Sequence, residues 1–187
     1  MQRPRIESSA RGTQPRIGVQ SVFGRPNGSV VVKRIAWLVA LLAFSCFVAQ
    51  AAEAPYDTSA NAAAQVQQAL AQARQNHKPV LLFFGANWCE DCRSLAASLK
   101  TPANAQLMAR DFNVVKIDVG NFDHNLDVVK RYGDPIAKGI PAAVLVAPDD
   151  RVLYSTKGGE LSNARTMSAD GVHDFFEDVW RKHAHAP

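Results

Sequence analysis

Apolar and polar positions along residues 52–187 follow two rhythms, short continuous apolar runs and longer stretches with helical spacing. Residues 62–75 are crowded with Ala, Gln and Leu and favour helix, after Asp57-Thr58-Ser59, which can cap, and before Pro79, which stops it. The run Val80-Leu81-Leu82-Phe83-Phe84 has the continuous apolar character of a strand buried on both faces of a helix-covered sheet. A helix is predicted over 90–100, and Thr101-Pro102 supplies an N-cap and a first-turn proline for a second piece through Ala109. Strands over 114–119 and 142–147 flank a short helix over 125–132 that ends before Gly133. Pro148-Asp149-Asp150 reads as a turn into an antiparallel hairpin partner over 152–155. Ser168 caps a last helix through Lys182, whose Val172, Phe175, Phe176 and Val179 form an apolar face. No internal repeat is visible.

Ahead of residue 52 the pattern breaks. Residues 1–32 are rich in Arg, Pro, Gly and Ser with little periodicity and read as a disordered extension, one that translation starting near Val30, Val31 or Val32 would largely omit. Lys33-Arg34, the apolar stretch 35–48 and Ala49-Gln50-Ala51 are the basic, apolar and small-residue parts of a secretory signal peptide over 33–51. The 14-residue apolar stretch is short for a membrane span, so an uncleaved anchor is the weaker alternative and an Arg-rich transit peptide a third. The expected organisation is then extension, signal peptide, an N-terminal helical segment over 52–78 and a core over 79–187, giving a periplasmic or secreted protein whose mature part does not span the membrane.

Charge changes meaning once the leader is set aside. The full chain carries a formal net +4, but seven of its 21 Lys and Arg and only one of its 17 Asp and Glu precede Ala52. The remainder holds 14 basic and 16 acidic residues, a net of −2, which removes the case for nucleic acid or anionic membrane as partner of the folded part. The 136 residues from Ala52 onward suffice for one domain with one substantial core.

Of three cysteines, Cys46 falls in the leader, so the working protein holds one pair, in Trp88-Cys89-Glu90-Asp91-Cys92-Arg93. This segment follows the first buried strand and opens a helix. Cysteines separated by two residues sit about one turn apart, and the first lies over the helix N-terminus, where N–H groups and the helix dipole stabilise the attacking thiolate. That arrangement suits thiol–disulfide exchange. A zinc site would need a second ligand pair, which the mature chain lacks, and His77, His124, His173, His183 and His185 are scattered. No metal or cofactor is expected. Copper(I) held by the two thiols and a histidine, and a disulfide that only staples the helix start, stay open as alternatives.

With Gly139-Ile140-Pro141 placed just before the strand over 142–147, the order from about Pro79 to Trp180 resembles the thioredoxin superfamily, as a secreted or periplasmic thioredoxin-like protein with a WCEDC motif. The resemblance implies an α/β thioredoxin-like fold with a central mixed sheet flanked by helices on both faces. It implies a cis Ile140–Pro141 bond and an Ile140 backbone that pairs with an extended substrate segment. It implies that Cys89, exposed at the helix end, attacks and that Cys92 resolves the mixed disulfide. Trp88 would shield the pair, and Arg93 would favour nearby negative charge or lie solvated. Thioredoxin carries Gly-Pro where this chain has Glu90-Asp91, two carboxylates that should disfavour the Cys89 thiolate and make the pair a reductant. Thioredoxin's buried aspartate is replaced by Phe83, which leaves proton transfer to Glu90, Asp91 or water. The loop over 157–166 is the best place for substrate specificity. The expected function is a periplasmic thiol–disulfide oxidoreductase reducing protein disulfides, with a membrane thiol transporter as electron donor. The alternative is a thioredoxin-fold binding module or copper(I) metallochaperone that uses the same dithiol without turnover.

Overall fold

The computed structural model describes residues 54–184. The extension, the signal peptide, Cys46 and His185 lie outside them. Helix α1 (Ala62–Asn76) precedes strand β1 (Val80–Gly85), followed by α2 (Glu90–Ser98), α3 (Pro102–Asp111), β2 (Asn113–Asp118), α4 (Leu126–Arg131), β3 (Ala142–Val146), β4 (Val152–Ser155), a 3-10 turn (Ala164–Thr166) and α5 (Ala169–His183). Among the described residues no helix is long and apolar enough to cross a membrane.

The four strands form one mixed sheet in the order β2-β1-β3-β4, with β2 parallel to β1 and the other two pairs antiparallel. Every residue of β1 and β3 is buried, because both strands are central and covered on both sides. Side chains of β1 alternate between the faces. Val80, Leu82 and Phe84 join α1, α4 and both cysteines in one cluster, whereas Leu81 and Phe83 meet Leu95, Leu107, Met108, Val172 and Phe176 in the other. The helices therefore cover both faces, and α2 contributes its cysteine end to one cluster and its Leu95–Leu99 end to the other.

Several ends differ from the sequence expectation, for local reasons. Helix α1 is capped by Asn61, whose Oδ1 accepts from Ala64 N at 2.9 Å, while Asp57 closes its own turn on the Ser59 N–H and hydroxyl. The helix ends before Pro79 is reached, because His77 takes a left-handed conformation with φ 59°. Thr101 makes no side-chain cap on α3, since its hydroxyl donates to Ser98 O at 2.8 Å. Strand β2 starts one residue early at Asn113, whose amide exchanges hydrogen bonds with Asn76 and donates to Lys78 O. Ser168 does cap α5, accepting from Gly171 N at 3.0 Å.

Candidate active site

The dithiol stands where β1 gives way to α2. Cys89 is the N-cap of α2, in extended conformation, and its Sγ accepts the Cys92 N–H at 3.2 Å. A sulfur there meets the free N–H groups of the first turn, the favourable end of the helix for negative charge. The Cys89 thiol points to Ile140 O at 3.6 Å. Both cysteines are free thiols. The expectation of an exposed Cys89 is corrected: the residue is 6% exposed, because its sulfur turns inward between the helix end and the Ile140 carbonyl. Cys92 is fully buried one turn in, and burial, followed by its hydrogen bond with Cys89, pushes its thiol far above the usual range.

Gly139-Ile140-Pro141 reaches the pair from the other side of the site. The Ile140–Pro141 bond is cis, Gly139 has φ 115°, which favours glycine, and Ile140 is buried with its carbonyl directed at Cys89. The geometry thus brings together Cys89, Cys92, Ile140 and Pro141.

The residues flanking the pair differ in their surroundings. Trp88 is 55% exposed; its indole N–H donates to Gly120 O at 2.8 Å, and its ring meets Phe122 edge-on at 6.1 Å between centroids. Arg93 is exposed, and its guanidinium donates to the Asn87 and Trp88 carbonyls at 2.9 and 2.8 Å and holds the turn that presents Cys89. Glu90 is exposed. Asp91 is 7% exposed and bound by Arg165, through its main-chain N–H at 2.9 Å and through its guanidinium. Of the two carboxylates between the cysteines, Glu90 faces solvent and Asp91 is buried against Arg165. Arg165 also ties the 157–166 loop to α2, and Leu161 and Ala164 anchor that loop in the core.

Two participants carry no signal in the sequence. Tyr56 packs in the same buried cluster as both cysteines, and Asn87 exchanges two hydrogen bonds with the Tyr56 main chain, at 2.9 and 2.8 Å. Nothing in the spacing of Tyr56 ties it to a cysteine pair beyond the next helix and strand. The His183 ring stacks on Tyr154 at 4.9 Å between centroids. Among the described residues the grouping with metal-ligand spacing is His173, Asp174 and Glu177 on α5, and no cysteine belongs to it.

A Thioredoxin-like family profile matches residues 61–148. A solved structure of a protein named as a disulphide isomerase, from Xylella fastidiosa Temecula1, is 56% identical, with a TM-score of 0.68, and the match covers 69% of this chain and 98% of that one. The C-terminal domain of DsbD from Neisseria meningitidis, in its oxidised form, is 27% identical with a TM-score of 0.45, over 64% of this chain and 96% of that one. The sheet order, the dithiol at the start of α2 and the high identity over nearly all of the Xylella protein agree: this chain belongs to the thioredoxin-like family.

Proposed function

We propose that the protein is a thiol–disulfide oxidoreductase working in the reducing direction through Cys89 and Cys92. Kinship with a protein named as a disulphide isomerase supports a thiol–disulfide redox role in general. The observation that carries the finer reading is the asymmetry of the two sulfurs, one at the helix N-cap beside the Ile140 carbonyl and the other buried and held as a thiol. Cys89 as thiolate attacks a substrate disulfide, forming a mixed disulfide and releasing one substrate thiol. Cys92 then loses its proton and attacks the Cys89 sulfur, closing Cys89–Cys92 and releasing the second thiol. Two electrons pass from the dithiol to the substrate. The Ile140 backbone and Pro141 make the ledge for an extended substrate segment, with Gly139 setting its turn, and the exposed Trp88–Phe122 pair offers apolar contact beside it.

The leader over 33–51 supports a periplasmic or secreted location, an oxidising space in which a reductant needs a donor. A membrane thiol transporter fits that need. The test is insulin reduction together with the reduction potential of the dithiol, read in graded thiol buffers. Loss of reduction in Cys89→Ser and a potential near or below about −270 mV support the reading. A potential well above that, with refolding of a scrambled substrate in place of reduction, would support isomerisation, the second reading, which the Xylella relative's name favours. Stoichiometric copper(I) binding without exchange would support the metallochaperone.

A further inference from the structure

Two loops leave the same end of the parallel β1–β2 pair, where Gly85 stands opposite Asp118. One carries Trp88 directly into Cys89, and the other, over residues 119–125, meets it there: the indole N–H donates to Gly120 O at 2.8 Å. The second loop is held by its own hydrogen bonds. Gly120 N donates to Asp118 Oδ2 at 3.1 Å, Asn121 N to Asp123 Oδ1 at 2.9 Å and Asn125 Nδ2 to Asp118 O at 2.8 Å. At Gly120, with φ 54°, an added side chain would collide with His124 and Asp123.

Within this frame Phe122 takes φ 63°, a left-handed backbone in which a bulky side chain is strained. Glycine or asparagine suits such a position, and the same loop uses both, at Gly120 and Asn125. The strain is not offset by burial, because Phe122 is 44% exposed. Of the large apolar side chains exposed among the described residues, Val114 and Val152 stand singly on β2 and β4, whereas Phe122 and Trp88 meet edge-on beside Cys89. A strained residue that keeps an aromatic ring in water next to a reactive sulfur has the character of a binding element, not of a packing one.

We infer that Phe122 is a specificity-determining residue, which selects protein disulfides in which a bulky apolar side chain flanks the reacting cysteine. The inference rests on the dithiol-exchange reading above. Trp88 adjoins Cys89 in the chain, so the aromatic pair is continuous with the place where a substrate cysteine joins the Cys89 sulfur. Residues of an extended substrate follow one another at about 3.3 Å, which brings those next to its cysteine within reach of the two rings. An apolar flank there removes ring surface from water on both partners, whereas a polar flank leaves the rings wet. The left-handed turn at Phe122 holds its ring in place before the substrate arrives, so little ordering remains to be done on binding.

The test uses the reduced full chain and two short peptides, one with its cysteine flanked by Leu and Phe on both sides and one flanked by Ser. Each peptide is presented as its mixed disulfide with glutathione, and oxidised glutathione alone is the third probe. In every case Cys89–Cys92 closes as the two halves of the probe leave as thiols, and acid quenching with mass spectrometry gives the second-order rate constant. Wild type should prefer the apolar-flanked peptide. Phe122→Asn should slow that peptide by about 5- to 30-fold, the worth of one apolar contact, and leave the Ser-flanked peptide and oxidised glutathione within about twofold. Because Asn accepts the left-handed backbone, the variant should melt no lower than wild type. Phe122→Tyr, which keeps the ring, should keep the preference. Equal rates for the two peptides in wild type overturn the inference, as does an equal loss on all three probes in Phe122→Asn, which would make the loop a mere prop for Cys89. A wild-type dimer that Phe122→Asn splits into monomers would assign the patch to a second copy and overturn it too. If wild type reduces none of the three probes, the exchange reading itself falls and the inference with it.

Discussion

Arg165→Ala offers the sharpest test of the site's electrostatics. Its guanidinium compensates a carboxylate that is 7% exposed and lies between the two cysteines in sequence. The Asp91 contact to the Arg165 main-chain N–H survives the substitution, but the charge partner is lost. A hydrogen bond to a charged group contributes about 1.5–3 kcal/mol, and because the Arg165 side chain is 51% exposed, solvent screening discounts that to about 1–2 kcal/mol. The second effect is on reactivity. With about 7 Å between groups on the first helical turn, an uncompensated unit charge acts with about 0.6–2.4 kcal/mol at effective dielectric constants of about 80 to 20. Solvent near Arg165 favours the weaker end, so Cys89 in the reduced protein should alkylate roughly three- to fivefold more slowly with iodoacetamide at neutral pH. Asp91→Asn removes the charge itself and should not slow alkylation, and the double variant should recover most of what Arg165→Ala loses. Alkylation of Arg165→Ala at or above the wild-type rate, in a protein shown to be folded, would refute the argument.

Reduced protein should also lose stability as pH climbs. Burial raises the Cys92 pKa in the folded state, so below the unfolded pKa of about 8.5 both states hold the proton, and above it only the unfolded state releases it. Stability falls from there toward the folded pKa, by at most about 1.4 kcal/mol per pH unit for one group. Thermal melts of reduced wild type and Cys92→Ala at pH 8 to 10 read this directly, and parallel curves would contradict it. On the opposite face of the sheet, Phe176→Ala empties a fully buried site against Phe83, whose ring meets it edge-on at 5.4 Å. Denaturant unfolding should show a loss of about 3–5 kcal/mol, and a loss below about 1 kcal/mol would mean that this cluster can close over the gap.

The strands are legible in the sequence because buried β1 and β3 leave continuous apolar runs that nothing else in the folded part imitates. Helix ends are less so. Asp57 and Asn61 both have capping chemistry, and only the local turn decides that Asp57 bonds Ser59 and leaves the cap to Asn61. The dithiol is legible as a motif, but its electrostatics are not: the Asp91 carboxylate is engaged by Arg165, which comes from the loop beyond the β3–β4 hairpin. Cys89 reads as exposed because helix N-termini usually are, and here the Ile140 carbonyl arrives from a distant loop to meet it. Tyr56 is the extreme case. Its segment carries no periodic signal, and its place beside Cys92 follows from a side-chain grip by Asn87 that no spacing rule describes.

Reduction and isomerisation draw on the same chemistry and part at the fate of the mixed disulfide. A strong oxidant needs its reduced form stabilised, which requires sulfurs comfortable as thiolates. Here one sulfur meets the helix N-terminus, while the other is pushed by burial toward the protonated form. On the proposed reading, Cys89 reacts readily and the outcome then depends on how long the mixed disulfide lasts. Fast deprotonation of Cys92 closes the Cys89–Cys92 bond and releases a reduced substrate. Slow deprotonation leaves the substrate attached, with time for its own thiols to attack and rearrange its disulfides. On that reading the protonation of a single buried sulfur sets the balance, and burial first, then the hydrogen bond with Cys89, holds the proton on it.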